Sequence, residues 1–153
     1  MLVRQMTDDD RAAVRTVLEG EWGLPVVSIS GVYDPSTLRG LLTVEEGELV
    51  GLCTYRLDDG NCEVVTLNSF REGRGVGSAL LMAARAIAEE HDARLWLITT
   101  NDNLEALAFY QRRGMDIVAL HRGFGDVVRL AKPGVSQLGD GAIPLRHAFE
   151  LAF

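Results

Sequence analysis

The feature that most constrains the fold is the stretch Phe70-Arg71-Glu72-Gly73-Arg74-Gly75-Val76-Gly77-Ser78-Ala79-Leu80-Leu81, because two periodicities meet inside it. An apolar run, Val64-Val65-Thr66-Leu67, stops just ahead of it. Val76, Leu80, Ala83 and Ile87 then recur at helical spacing. The pattern predicts strand, glycine loop, helix. Glycines at 73, 75 and 77 remove the side chains that would hold an anion off the backbone, and the first-turn N–H groups of the helix have no intrahelical acceptor. Together with the positive end of the helix dipole, these donors make an anion site suited to a pyrophosphate, and Arg71 and Arg74 add positive charge. A plain strand-to-helix turn uses the same glycines, so the loop alone leaves both readings open.

Around this loop the chain reads as alternating elements. Residues 2–5 suit a short strand, and Thr7 or Asp8 caps a helix running to about Glu19, with acidic residues in its first turn. Residues 20–37, with Trp22, Gly23, Pro25, Gly31, Tyr33, Asp34 and Pro35, are turn-rich and irregular, a natural wall for a substrate site. Leu41 to Val44, Leu49 to Tyr55 and Glu63 to Leu67 read as three antiparallel strands joined by hairpins at Glu45-Glu46-Gly47-Glu48 and Asp58-Asp59-Gly60-Asn61. After the loop and its helix, Leu95-Trp96-Leu97-Ile98-Thr99 is a continuous apolar strand, expected to run parallel to the strand before the loop. Asn101 or Asp102 caps a helix ending at Gly114, and Met115 to Leu120 is a further strand. Residues 123–144 are irregular apart from a helical turn around Val127 to Ala131, and Pro144 to Leu151 alternates as a closing strand. The order β-α-β-β-β-α-β-α-β-β predicts a mixed sheet with helices on its faces.

At 153 residues and 47% hydrophobic, the chain suits one domain, residues 1–153, with a real core. No apolar run approaches a membrane span, and Met1-Leu2-Val3-Arg4 leads into Asp8-Asp9-Asp10 rather than a secretory signal, so the expected location is cytoplasmic and no membrane partner is expected. A formal charge of −7 argues against nonspecific nucleic-acid binding. Cys53 and Cys62 flank a hairpin turn and could approach each other, but no chemistry is assigned to them. There is no Cys-x-x-Cys or His-x-x-x-His, so no metal site is expected.

A second informative stretch is Asn103-Leu104-Glu105-Ala106-Leu107-Ala108-Phe109-Tyr110-Gln111-Arg112-Arg113-Gly114-Met115. On a helix Asn103, Ala106 and Tyr110 share one face, where the small Ala106 leaves a groove. A capping asparagine and a core-facing tyrosine account for the same residues equally well. Taken together, the two stretches resemble the GNAT superfamily of acetyl-CoA-dependent N-acetyltransferases. The acetyl-CoA loop of that family reads Gln/Arg-x-x-Gly-x-Gly/Ala, which Glu72 to Gly77 match except at the first position. The family's later helix reads Asn-x-x-Ala-x-x-aliphatic/aromatic-Tyr, which Asn103 to Tyr110 match, with Gly114-Met115 in place of Gly-Phe. The resemblance covers roughly residues 2–120 and leaves 121–153 as C-terminal strands and a substrate-side loop. It implies one α/β (α+β) domain around a central mixed, mostly antiparallel sheet with splayed middle strands and helices on both faces.

The resemblance also implies roles. Backbone groups of Arg74, Gly75, Val76, Gly77 and Ser78 hold the pyrophosphate of acetyl-CoA, Leu67 and Asn68 pair with its pantetheine arm, and Asn103 touches it from the other side. Tyr110 protonates the departing thiolate as general acid. An amine attacks the acetyl thioester directly in a ternary complex. Because an aliphatic ammonium has a pKa of about 10.4, it needs a base or a water relay. Glu63 is the candidate base, since some members carry a glutamate near the start of the corresponding strand. Glu72 would repel phosphate unless it turns outward or pairs with Arg71 or Arg74.

The acceptor, a small-molecule or peptide amine, is not named by the chain. The family sets it through the segments matching residues 20–38 and 121–147, which hold Trp22, Tyr33, Asp34, Arg39, His121, Arg122, Asp140 and His147. A homodimer stays open. The alternative function is a CoA-binding regulatory or interaction module of the same fold with little activity. A dinucleotide-binding oxidoreductase and a P-loop triphosphatase are disfavoured, because Leu80 stands where a fingerprint glycine or alanine belongs and no Gly-Lys-Ser/Thr ending exists.

Overall fold

The first helix begins where three groups converge on one carboxylate. Asp10 Oδ2 accepts hydrogen bonds from the Thr7 N–H at 2.8 Å, the Thr7 hydroxyl at 3.1 Å and the Arg4 guanidinium at 2.8 Å. A 3-10 turn at Asp8–Asp10, with Thr7 at its N-cap, leads into α1 (Arg11–Trp22), whose own N-cap is Asp10 rather than the expected Thr7 or Asp8. The computed structural model describes residues 1–153 and shows nine strands and four α-helices. Seven of the strands form a mixed, mostly antiparallel sheet. The chain divides into two compact units: residues 1–26 with 34–95, and residues 27–33 with 96–153.

In the first unit the strand order is β1 (Val3–Gln5), β4 (Arg39–Glu45), β5 (Glu48–Asp58), β6 (Asn61–Ser69), with every neighbour antiparallel. The two hairpins fall at the predicted turns, each closed by two residues of positive φ: Glu46 and Gly47, then Asp59 and Gly60. That geometry matches the right-handed twist of the strands it joins. In the buried interior of the sheet, Thr54 and Thr66 are cross-strand partners joined hydroxyl to hydroxyl at 2.6 Å.

Side-chain alternation along β5 sends consecutive residues to opposite faces, and each face receives a helix. Leu52 and its partner Leu42 join Val14 and Leu18 of α1 in a buried cluster. Gly51 faces the other way, toward Val76 and Leu80 of α2 (Val76–Glu90), and a Cβ there would sit 2.8 Å from Leu80 Cδ1. Glycine at 51 therefore lets the N-terminal turn of α2 lie close on the sheet. The expected helices on both faces are present in this unit.

In the second unit β9 (Ala148–Ala152) lies between β7 (Arg94–Thr100) and β8 (Asp116–His121), antiparallel to both. The unit also holds α3 (Leu104–Arg112) and α4 (Phe124–Ala131). Two features of the chain differ from the sequence reading. The irregular 20–37 segment contains a small ribbon of β2 (Val26–Val27) and β3 (Val32–Tyr33), closed by Ser28 N–H to the Gly31 carbonyl at 2.8 Å. The single turn expected near residue 127 is the eight-residue helix α4. Two-residue strands carry no periodicity, and the glycines at 123 and 125 masked the amphipathic pattern of α4.

The cysteines do not meet as the hairpin suggested. Cys53 is registered against Leu67 and Cys62 against Leu57, so the two stand several residues apart along the ladder, both buried as free thiols. Burial raises both thiol pKa values, that of Cys62 to about 11. No helix is long and apolar enough to cross a membrane.

Candidate active site

The glycine loop joins a strand to a helix through two left-handed glycines. β6 ends at Ser69, the chain turns through residues 70–75, and α2 starts at Val76. Gly73 (φ 72°) and Gly75 (φ 75°) take left-handed conformations, Gly75 serves as the N-cap of α2, and neither has an atom close to where a Cβ would stand. Glycine is there for backbone shape, and the space in front of it is open. The first closed helical bond runs from the Ala79 N–H to the Gly75 carbonyl at 3.0 Å. The N–H groups of Val76 and Gly77 precede it and have no acceptor within the helix. Arg74, Gly75, Val76, Gly77 and Ser78 thus stand together at one helix end, where donors and dipole favour a negative ligand.

The loop arginines do not pair with Glu72, which is exposed. Arg71 Nη2 lies 2.7 Å from Glu48 Oε2, and Arg74 Nη1 lies 3.4 Å from Glu45 Oε2. Glu45, Glu46, Arg71 and Arg74 line an open polar depression of about 400 Å³. In the sequence Glu45 and Glu48 read only as turn residues, because nothing local marks them as partners of a loop more than twenty residues on.

Two further candidates lie on β6. Leu67 and Asn68 occupy its end, paired with Cys53 and Leu52 of β5, and the Asn68 side-chain oxygen accepts the indole N–H of Trp22 at 2.6 Å. The Trp22 contact was invisible in sequence. Glu63 is the third residue of β6 and only 2% exposed. Its Oε1 lies 3.3 Å from Nη1 of Arg56, its cross-strand partner.

In the second unit Asn103, rather than Asn101 or Asp102, is the N-cap of α3. Its Oδ1 accepts the Ala106 N–H at 3.1 Å, which leaves its amide N–H groups for any ligand. Tyr110, half-buried, meets Phe109 edge to face at a 5.3 Å centroid distance, and Arg113 stacks over Phe109 at 3.5 Å. Asn101 and Asp102 serve the C-terminal segment instead. Asn101 Oδ1 accepts the N–H groups of Arg146 and His147, its Nδ2 donates to the Pro144 carbonyl, all at 2.9 Å, and Asp102 Oδ2 accepts the Asp140 N–H at the same distance.

Four of the residues expected to set the acceptor have side-chain partners. In the first unit, hydrogen bonds from Ser36 and the charge of Arg15 hold the Asp34 carboxyl below its ordinary pKa. In the second unit, the Tyr33 hydroxyl meets Ser30 Oγ at 2.9 Å, His121 Nε2 lies 3.0 Å from Glu150 Oε1, and His147 Nδ1 accepts the Gly123 N–H at 3.0 Å. No cluster of three or more His, Cys, Asp or Glu side chains could hold a metal ion.

Comparison with known proteins agrees with this architecture. The sequence model of the "Acetyltransferase (GNAT) family" matches residues 12–115. "Uncharacterized protein YdhI" of Bacillus subtilis (strain 168) is 38% identical over 128 residues, 82% of this chain and 80% of that protein. Among solved structures, the IAA acetyltransferase from Bacillus cereus ATCC 14579 superposes with a TM-score of 0.73 at 18% identity, over 99% of this chain and 97% of that one. A GNAT family acetyltransferase from Elizabethkingia anophelis with acetyl-CoA bound gives 0.69 at 14% identity, over 99% and 96%. At such identities the structures are alike in fold.

Proposed function

The chain belongs to the acetyltransferase (GNAT) family, and from that membership we propose that it moves an acetyl group from acetyl-CoA to a primary amine by direct attack in a ternary complex, with Tyr110 as general acid. The observation that carries the reading is the Gly75-capped start of α2, where left-handed glycines, open space and N–H groups without a helical acceptor suit a pyrophosphate. The Elizabethkingia anophelis structure holds acetyl-CoA in the same fold.

The thioester supplies an activated acetyl carbonyl. Arg74 to Ser78 hold the pyrophosphate by main-chain donors, and Leu67 and Asn68 at the end of β6 bind the pantetheine arm by their backbone. The Asn68 side chain stays with Trp22. Asn103 keeps its Oδ1 on the α3 cap and offers its amide N–H groups to the cofactor. Tyr110 Oη gives its proton to the sulfur as the carbon–sulfur bond breaks, so the leaving group departs as a neutral thiol. Glu63 takes the proton that the attacking ammonium must lose, directly or through water. Its burial beside Arg56 gives it one fixed orientation.

The deciding experiment measures free thiol release from acetyl-CoA across a panel of small amines, amino-acid derivatives and peptide N-termini. Release above hydrolytic background with at least one amine is expected, and Tyr110→Phe should lower kcat with little change in acetyl-CoA affinity. Acetyl-CoA binding with no acceptor turned over would favour the CoA-binding regulatory or interaction module. Failure of acetyl-CoA to bind would overturn both.

A further inference from the structure

The β4–β5 hairpin breaks a local rule. Its two-residue turn makes Glu45 and Glu48 direct cross-strand partners, and like charges placed opposite one another destabilise a ladder. Glu46, in the turn itself, adds a third carboxylate. The compensation comes from a different part of the chain. Arg71 reaches Glu48 at 2.7 Å and Arg74 reaches Glu45 at 3.4 Å, so each opposed glutamate has its own arginine from the phosphate loop. Those two guanidiniums are also the only ones the loop carries for its ligand. The arginine side chains remain about half exposed, 45% for Arg71 and 58% for Arg74. Ion pairs this open to water are weak and can exchange partners.

We propose that Glu45 and Glu48 are resident counter-ions of the phosphate loop, competing with the phosphates of the cofactor for Arg71 and Arg74 and thereby setting how tightly CoA is held and how readily it leaves. The inference rests on the acetyl-CoA reading of the loop. When the cofactor binds, the guanidiniums turn toward its phosphates and the two glutamates are left facing each other across the ladder. That repulsion is part of the free energy of the bound state and favours release. Affinity is therefore held below what the loop donors alone would give.

The test is calorimetric titration of CoA into wild-type protein, the Glu45→Gln/Glu48→Gln variant and single Glu48→Gln, at low and high salt, with thermal unfolding as a check of the fold. The double variant should bind CoA about 3- to 10-fold more tightly at low salt, with the gain shrinking at high salt as exposed charges are screened. In an Arg71→Gln/Arg74→Gln background the same glutamate substitutions should change Kd by less than about 2-fold, because the competed partner is gone. Glu48 is 71% exposed, so its single substitution reads the effect without threatening the fold. Unchanged or weaker CoA binding by the glutamate variants overturns the inference while leaving the acetyl-CoA reading intact. A full gain in the arginine-free background overturns partner exchange in favour of direct repulsion. Absence of CoA binding by the wild type overturns both readings.

Discussion

Trp22 donates its indole N–H to the side-chain oxygen of Asn68 at 2.6 Å, joining the last residue of α1 to the end of β6. Trp22→Phe keeps the ring and loses the donor, and should lower stability by about 1 kcal/mol, the usual net worth of such a bond. Because Asn68 is proposed to line the cofactor site, acetyl-CoA should change tryptophan emission in the wild type. In Trp22→Phe, which keeps only Trp96, that change should vanish while calorimetry still detects binding. Persistence of the signal would show that it comes from Trp96 and that the ligand does not sense Trp22.

The Arg56–Glu63 pair is asymmetric in exposure, 26% for the arginine side chain and 2% for the glutamate. Removing the arginine takes an ion-pair partner from a buried carboxylate, so Arg56→Ala should cost about 3 kcal/mol in urea unfolding, and Arg56→Met/Glu63→Leu should cost less than that single change. Glu63→Gln should reduce kcat at least about ten-fold with little change in KM for acetyl-CoA if the carboxylate moves the amine proton. Full turnover by Glu63→Gln would leave a water relay as the base.

Gly51 and Gly75 are required for different reasons. Gly51→Ala pushes a methyl into Val76 and Leu80 at the start of α2, and overpacking of that kind costs about 1–3 kcal/mol. It should also weaken acetyl-CoA binding, since it displaces the helix end proposed to hold the pyrophosphate. Gly75→Ala meets open space but forces a left-handed backbone, at about 1–2 kcal/mol. Unchanged stability of Gly51→Ala in thermal unfolding would contradict the close packing of α2 on β5.

Asp10 gives the fold an acid-labile element. Its hydrogen bonds from Arg4 and Thr7 hold the carboxyl well below the usual carboxylate range. The unfolded chain therefore binds a proton at higher pH than the native state does. The stabilisation is fully present above the unfolded value of about 3.9 and is lost as pH falls toward the native one. The stability gap between wild type and Asp10→Asn should be constant from pH 6 to 8 and close progressively below about pH 4. A gap that stayed constant to pH 3 would mean that the carboxylate is not the stabilising form.

Burial keeps both thiols protonated, Cys62 with a pKa of about 11. Neither cysteine should react with iodoacetamide in the native protein at pH 8, and both should react in denaturant. Rapid native labelling of either would place it at the surface.

The strand, loop and helix around Gly75, both tight hairpins and the cap of α3 follow from signals a few residues wide: glycines that permit positive φ, apolar spacings of two or near 3.6, an asparagine three residues ahead of the N–H it accepts. What the cap signal could not resolve was which of Asn101, Asp102 and Asn103 takes it. The structure gives the cap to Asn103 because the other two are drawn to residues 140–147. The ribbon at 26–33 and helix α4 were lost for the opposite reason, being too short or too glycine-rich to show a period.

The amino-acid sequence by itself determined that a left-handed glycine loop opens a helix directly after a strand, and with Asn103 to Tyr110 it identified the family, because those features depend on neighbours along the chain. Only the tertiary structure decided that Arg71 and Arg74 meet Glu48 and Glu45, that Trp22 meets Asn68, and that Glu63 is buried against Arg56. Partners such as these are chosen by strand order and register, which arise from many weak packing terms summed over the whole sheet. No window of local sequence contains that sum.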